Sequence, residues 1–364
     1  MKVAVMEFPA ARRLVPVVAA AALLALSACT GSSGGGSAKS SDQGTAAPAP
    51  SVSNDLQTDY ENTVKAVLPS IVQINAENSL GTGIVYDTKG DIVTNAHVVG
   101  TATSFQVLLS DQSKALAATL VASYPANDLA VIKLSSPPSK LTPAVFGDTS
   151  KVDVGQIVLA MGSPLGLSSS VTQGIVSATG RTVSEGKSEE NPQGTTIPNM
   201  VQTSAAINPG NSGGALVNLS NQVIGVNTLA AVSNGESGAQ APGIGFAIPA
   251  SSVTNLADQM IKYGKVVDSG RAALGVSVRT VIVTNSNGSQ TSGAGVVTVT
   301  SGGPADKAGI QPGDVITQLD GQAVDSSQAL STVLATLKPG QQVPVVFLRD
   351  GASKTVQVTL GTLQ

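Results

Sequence analysis

The sequence predicts a mostly β protein, and three observations carry that expectation. Between residues 56 and 252, short β-prone runs such as SIVQI, TGIVYD, LAVIKL, QIVLAM and GALVNL recur about every ten residues. Gly, Asn, Asp and Pro clusters separate them, the punctuation of a barrel or a sandwich rather than of alternating strand and helix. After Tyr263-Gly264 the pattern starts afresh with five further runs and one helical face, so a second, smaller domain is expected.

The N-terminal residues belong to neither unit. Lys2, Arg12 and Arg13 precede an apolar run over residues 14–26. That run falls short of the ~20 residues a membrane-spanning helix needs. A basic start and a short apolar core make residues 1–28 a signal peptide. Leu26-Ser27-Ala28-Cys29 closes it with the only cysteine of the chain. The tetrapeptide resembles the bacterial lipobox, which implies that Cys29 becomes the mature N-terminus and carries lipid. Residues 29–55 are mainly small and polar, with too little apolar surface to fold, and read as a flexible tether. Its central stretch, 30–53, would span on the order of 27 Å root-mean-square.

The first folded unit is set at residues 56–262. Helical patterning is limited to its ends, near 59–68 and 251–262, and the polar stretch 184–198 reads as an exposed loop. The second unit is set at 266–364, with strands near GVSVRTV, GVVTVT, DVITQLD, VPVVFLR and KTVQVTL. Between them lies a helix at 327–337, where Leu330, Val333, Leu334 and Leu337 fall at i, i+3, i+4 and i+7 on one face. Asp325 or Ser326 can cap its start, and Pro339-Gly340 ends it.

Composition narrows the chemistry. A net charge of −3 without a run of basic residues argues against nucleic acid as a partner. One cysteine leaves no internal disulfide, and with one histidine it leaves little for a zinc site, so neither metal nor cofactor is expected.

That one histidine is His97, in TNAHVV. Alone, the stretch fits a half-buried imidazole satisfied by backbone. Two other features change its weight. Asn127-Asp128-Leu129-Ala130-Val131 puts an aspartate at the head of an apolar strand. Asn208-Pro209-Gly210-Asn211-Ser212-Gly213-Gly214 puts a serine between glycines, where the backbone can turn sharply and aim its N–H groups at one spot. Gly210 to Gly214 also satisfies G-x-S-x-G, but in that hydrolase elbow the histidine follows the serine, and none follows Ser212. His97, Asp128, Ser212 is the order of the chymotrypsin triad.

With those residues in place, TNAHVV, NDLAVIKL, MGSPLGL, VTQGIVSATGR, QTSAAINPGNSGGALVN, VIGVNT and GIGFAIPAS resemble the protease domain of the HtrA/Deg serine proteases. GPADKAGIQPGDVI resembles their PDZ domain. The resemblance covers about residues 56–360 and implies a chymotrypsin-like double β-barrel followed by one PDZ domain. Position by position, it implies His97 as general base, Asp128 as its orienting partner and Ser212 as nucleophile. The N–H groups of Gly210 and Ser212 become the oxyanion hole, with Asn211 adjacent. Two departures stand out: Ser204 replaces the family's usual aspartate, and only residues 75–80 join the first two strands, so the long insertion that builds large cages is absent.

Trypsin-like enzymes that cut after Arg or Lys carry an aspartate six residues before the nucleophile. Here that position is Ala206, followed by Ile207, and with Asn227 these make an S1 pocket suited to Val, Ala or Leu. The PDZ resemblance implies that a chain end adds as a strand beside residues 276–281, its carboxylate held near Leu274, Gly275 and Val276. The leading expectation is a membrane-anchored serine endopeptidase of the cell envelope acting on unfolded or misfolded protein. A processing protease for one defined partner fits the same residues. A chaperone or peptide-sensing scaffold without proteolysis is the alternative. The resemblance implies a homotrimer, for which the sequence holds no signature of its own.

Overall fold

In the first unit the strands at 79–85, 91–94 and 129–134 show little polar alternation because both their faces are covered, whereas the strand at 104–109 alternates exposed and buried residues. The computed structural model describes residues 55–363 apart from 77–78, 111, 164–169, 186–194, 209, 233–239 and 285–288. The signal segment, Cys29 and all of the tether except Asp55 therefore lie outside the described residues. Six strands close a first barrel: β1 (Ile71–Ala76), β2 (Ser79–Val85), β3 (Asp91–Thr94), β4 (Ser104–Leu109), β5 (Leu116–Tyr124) and β6 (Leu129–Leu134), in the order β1-β2-β3-β6-β5-β4. Alternate residues divide between two cores. Val72, Ile74, Val85, Ile92, Ala130 and Ile132 fill the barrel. Ile71, Ile84, Val93, Leu129 and Val131 point the other way, into a core shared with the second barrel.

That second barrel uses β7 (Val145–Phe146), β8 (Ile157–Gly162), β9 (Ser170–Glu185), β10 (Thr195–Thr203), β11 (Ala215–Asn218), β12 (Gln222–Val232) and β13 (Gln240–Pro249). The order is β11-β8-β9-β10-β13-β12-β7, and pairing of β11 with β12 closes six of them into a ring. Leu159, Met161, Ala215 and Val217 meet the first barrel's outward residues, under Val253, Leu256, Ala257 and Met260 of a covering helix. Each fully buried Leu, Ile or Met contributes about 1.5–3 kcal/mol, which fixes the cleft between the barrels.

The helices depart from expectation at their ends. The first is α1 (Asp55–Val67), starting four residues early, and the covering helix is Ala250–Tyr263. A single turn, α2 (Ala96–Val99), is too short for any periodicity and holds His97. The covering helix is numbered α3. At the ends of the stretch 184–198 the β9–β10 hairpin continues, Ser184 pairing with Thr196 and Val183 with the buried Ile197, while the expected loop at 186–194 lies outside the described residues.

The C-terminal domain has a sheet of β15 (Val276–Thr284), β16 (Gln290–Val299), β17 (Val315–Leu319), β19 (Gln342–Arg349) and β20 (Ala352–Thr359), with β18 (Gln322–Ala323) beside β17 and a small pair, β14 (Ala272–Ala273) with β21 (Gly361–Thr362). Two helices cover it, α4 (Pro304–Lys307) and α5 (Ser327–Leu334). Ser326 is the cap of α5, its hydroxyl accepting from Ala329 N–H. The helix stops three residues before the expected end because Thr336 and Leu337 bond three residues back, to Val333 and Leu334, while Leu337 stays buried. Val266 packs into the first unit's core and Ala272 into the second's.

Arg271 joins the two. Its guanidinium donates to Ala126 O, to Asn127 Oδ1 at 3.0 Å and to Thr196 O at 2.7 Å, and burial lowers its pKa. Gln328 of α5 adds a bond to Thr196 Oγ1 at 2.7 Å.

Candidate active site

His97 and Asp128 are held together by backbone as well as side chain. A helix leaves its first N–H groups unpaired, and in α2 the N–H of His97 donates to Asp128 Oδ1 at 3.0 Å. The ring Nδ1 of the same residue lies 3.0 Å from Oδ1 and 2.9 Å from Oδ2. The carboxylate therefore fixes both the ring's orientation and its tautomer: Nδ1 carries the proton, and Nε2 is left as the basic nitrogen. The His97 side chain is 34% exposed and that of Asp128 11%, so the ring reaches solvent while its partner is largely shielded.

Asp128 follows a tight turn at Pro125–Asn127 and adopts a left-handed conformation, φ 49°, which Asp tolerates better than most residues. Its N–H donates to Pro125 O, and its own carbonyl accepts from Asn95 Nδ2 at 2.9 Å. Thr228, in β12 of the second barrel, donates its hydroxyl to Oδ2. The carbonyl of Thr228 accepts from Ser212 Oγ at 3.3 Å. One threonine thus ties the aspartate of one barrel to the serine of the other.

Ser212 sits on the turn before β11, whose shape only glycine permits. Gly213 has φ 81°, and a Cβ there would lie 2.1 Å from Thr82 O. A Cβ on Gly214 would lie 2.1 Å from Met161 O. Among the described residues the N–H groups of Gly210 and Ser212 have no acceptor, the condition for donors that await an external oxygen. Also among the described residues, no three His, Cys, Asp or Glu side chains are grouped to hold a metal ion.

The other expected site residues divide. Ala206 is exposed, and its carbonyl accepts from Thr172 Oγ1 at 2.8 Å and Asn211 Nδ2 at 3.2 Å. Ile207 is 5% exposed, wedged against Gly245, and Asn227 is fully buried. Asn227 donates to Ala215 O at 3.0 Å, and its backbone bonds Gly213 and Gly214. It supports the serine turn from behind. Ser204 joins Ile175 by two bonds, its N–H to the Ile175 carbonyl and its hydroxyl accepting from the Ile175 N–H. In the C-terminal domain β15 is an edge strand, and Leu274 and Gly275 (φ 73°) lead into it. Thr280 of β15 meets Ser327 of α5 at 3.1 Å, so that strand and helix lie side by side. A cavity of about 440 Å³ lies elsewhere, between the domains beside Asn127, Asn199, Arg271 and Lys338, and holds none of the triad.

Comparison with known proteins bears on the fold and the family. Residues 81–226 match the profile of the trypsin-like peptidase domain and residues 272–360 that of the PDZ domain. Serine protease PepD of Mycobacterium tuberculosis is 38% identical over 334 residues, covering 87% of this chain and 69% of PepD. The chain belongs to the HtrA family of serine proteases. This HtrA protein is 40% identical to the periplasmic serine endoprotease DegP of Escherichia coli over 283 residues, 78% of this chain but only 57% of DegP. The solved HtrA-type protease AlgW with decapeptide superposes with a TM-score of 0.56 at 30% identity, covering 84% of this chain and 99% of AlgW. The HtrA chain is thus a serine endopeptidase with one PDZ domain.

The residues that sequence reading missed around this HtrA site are Thr228, Asn95 and Thr82. Thr228 stands in VIGVNT, a quoted motif, yet nothing in its spacing says which way a hydroxyl faces. Only the β12–β13 register, with Asn227 opposite Ala247 and Leu229 opposite Phe246, shows that a bulge sets Thr228 apart from its neighbours.

Proposed function

We propose that this HtrA protease hydrolyses exposed or unfolded polypeptide of the cell envelope after small aliphatic residues, through His97, Asp128 and Ser212. The observation that carries the reading is the double grip of His97, by N–H and Nδ1, on one buried carboxylate. Ser212 Oγ attacks the scissile carbonyl carbon while His97 Nε2 takes its proton. Asp128 stabilises the imidazolium, and the N–H groups of Gly210 and Ser212 hold the oxyanion. His97 then gives the proton to the leaving amine, and a water repeats the sequence on the acyl-enzyme. Ala206 and Ile207, both uncharged, support the preference for Val, Ala or Leu. Digestion of a denatured protein tests this: termini after those residues are expected, and a majority after Arg or Lys would overturn the specificity.

The PDZ groove on this reading binds chain ends and tunes cleavage without performing it. AlgW, solved with a decapeptide and with a tripeptide, supports peptide capture in such an architecture. Deleting residues 270–364 is expected to leave Ser212 reactive to a fluorophosphonate, because every triad residue precedes the cut, while digestion of unfolded protein falls. A folded truncation with no reactivity would contradict that division.

Membrane attachment rests on Cys29 and the sequence around it. Lipoproteins normally carry more than one acyl chain, and a single chain binds a membrane only marginally. Cys29→Ser is expected to abolish partitioning into detergent after expression in the native host. Equal partitioning of wild type and variant would refute the anchor.

A further inference from the structure

The first barrel reaches into the nucleophile turn through Thr82, a fully buried residue of β2. A hydroxyl has one donor and two acceptor lone pairs. That of Thr82 donates to Gly210 O at 2.6 Å and accepts from Ser163 N–H at 2.9 Å. Its backbone N–H donates to Ser212 O at 3.0 Å, and its carbonyl accepts from Thr94 Oγ1 at 2.6 Å. Four bonds make it a fixed post.

What the post holds is a run of peptide planes. A peptide is planar, so gripping its carbonyl also sets the N–H on its far side. The plane between Gly210 and Asn211 is held by Thr82 Oγ1 on its carbonyl and by Asn208 O on its N–H at 3.1 Å. The plane between Ser212 and Gly213 is held by Thr82 N–H on its carbonyl and by Asn227 O on its N–H at 2.8 Å. Between them the Asn211 carbonyl accepts from Gly214 N–H at 3.0 Å, and the Ser212 N–H has no acceptor among the described residues. Glycines at 162, 213 and 214 permit this packing, since a Cβ on Gly162 would lie 2.4 Å from Asn211 Cβ.

We propose that Thr82 is a positioning residue: its hydroxyl on Gly210 O and its N–H on Ser212 O clamp the peptide planes on either side of the one that carries the Ser212 N–H, and so aim that donor at the oxyanion. The proposal rests on Ser212 being the nucleophile. Without the hydroxyl, the Gly210 carbonyl and the Ser163 N–H both lose a buried partner, and the first peptide plane keeps only its bond to Asn208 O and can tilt. Such tilting weakens bonds made chiefly in the transition state, so kcat should fall and KM should not.

The test compares Thr82→Val, Thr82→Ala, Thr82→Ser and Ser212→Ala in the full chain, on a chromogenic peptide with Val at the cleavage point. Thr82→Val and Thr82→Ala are expected to lower kcat roughly 10- to 100-fold, below the 10²–10³ of outright donor loss, with KM within about twofold. Thr82→Ser, which keeps the hydroxyl and lacks only the methyl, is expected to match wild type. Wild-type kcat in the Val and Ala variants would overturn the proposal, as would a Ser variant as slow as they are. Failure of both Val and Ala variants to fold would make the hydroxyl a determinant of the fold and overturn it too. The nucleophile assignment fails separately, if Ser212→Ala retains turnover.

Discussion

Ser212→Ala is expected to lower kcat about 10⁶-fold, and His97→Ala by about as much, because triad members act as one unit. The double variant should then be scarcely slower than either single one. Ser212→Ala removes a hydroxyl whose one bond among the described residues is a long 3.3 Å to Thr228 O, so the fold should be unchanged. His97 is the only histidine. The acid limb of kcat/KM in the wild type should therefore fit one ionisation, with activity lost as the base becomes protonated. Steady-state kinetics across pH, with circular dichroism on each variant, checks all of this. An acid limb requiring two protons, or a double variant slower by the product of the two losses, would contradict a concerted unit.

Asp128→Asn is expected to lower kcat about 10⁴-fold with little change in KM, a loss of about 5 kcal/mol of transition-state stabilisation. Three donors converge on this carboxylate: the His97 N–H, the His97 ring and the Thr228 hydroxyl. An amide offers only one oxygen, and its NH₂ would face a donor. The imidazole resolves that conflict by moving its proton from Nδ1 to Nε2, where it can no longer accept from Ser212. The geometry survives and the base is lost. Nitrogen-15 shifts of the single histidine check the tautomer directly: Nδ1-protonated in the wild type, Nε2-protonated in the variant.

The features legible in the sequence were those set by local chemistry. Gly213 and Gly214 betrayed the nucleophile turn because the backbone comes within 2.1 Å of where their side chains would be. The chain order of His97, Asp128 and Ser212 separated rival folds. The central strands at 91–94, 129–134 and 215–218 were visible as apolar runs, since burial on two faces removes the polar alternation. Contacts between barrels were not legible. Thr82 and Thr228 serve the site from strands 128 and 100 residues away from Gly210 and Asp128, and a threonine in a strand reads the same whichever way it points. The helix that carries His97 has only four residues, too few for a period. Thr196 and Ile197 are buried in strand pairing at the end of a stretch whose composition reads as loop, and the pairing partner, not the composition, is what places them.

The most direct measurement is stoichiometric labelling of the intact protein with a fluorophosphonate, followed by peptide mapping. The expected result is one adduct, on Ser212, absent in Ser212→Ala and slowed by orders of magnitude in His97→Ala. An adduct on another serine, or undiminished labelling of the His97→Ala protein, would contradict a nucleophile activated by the lone histidine.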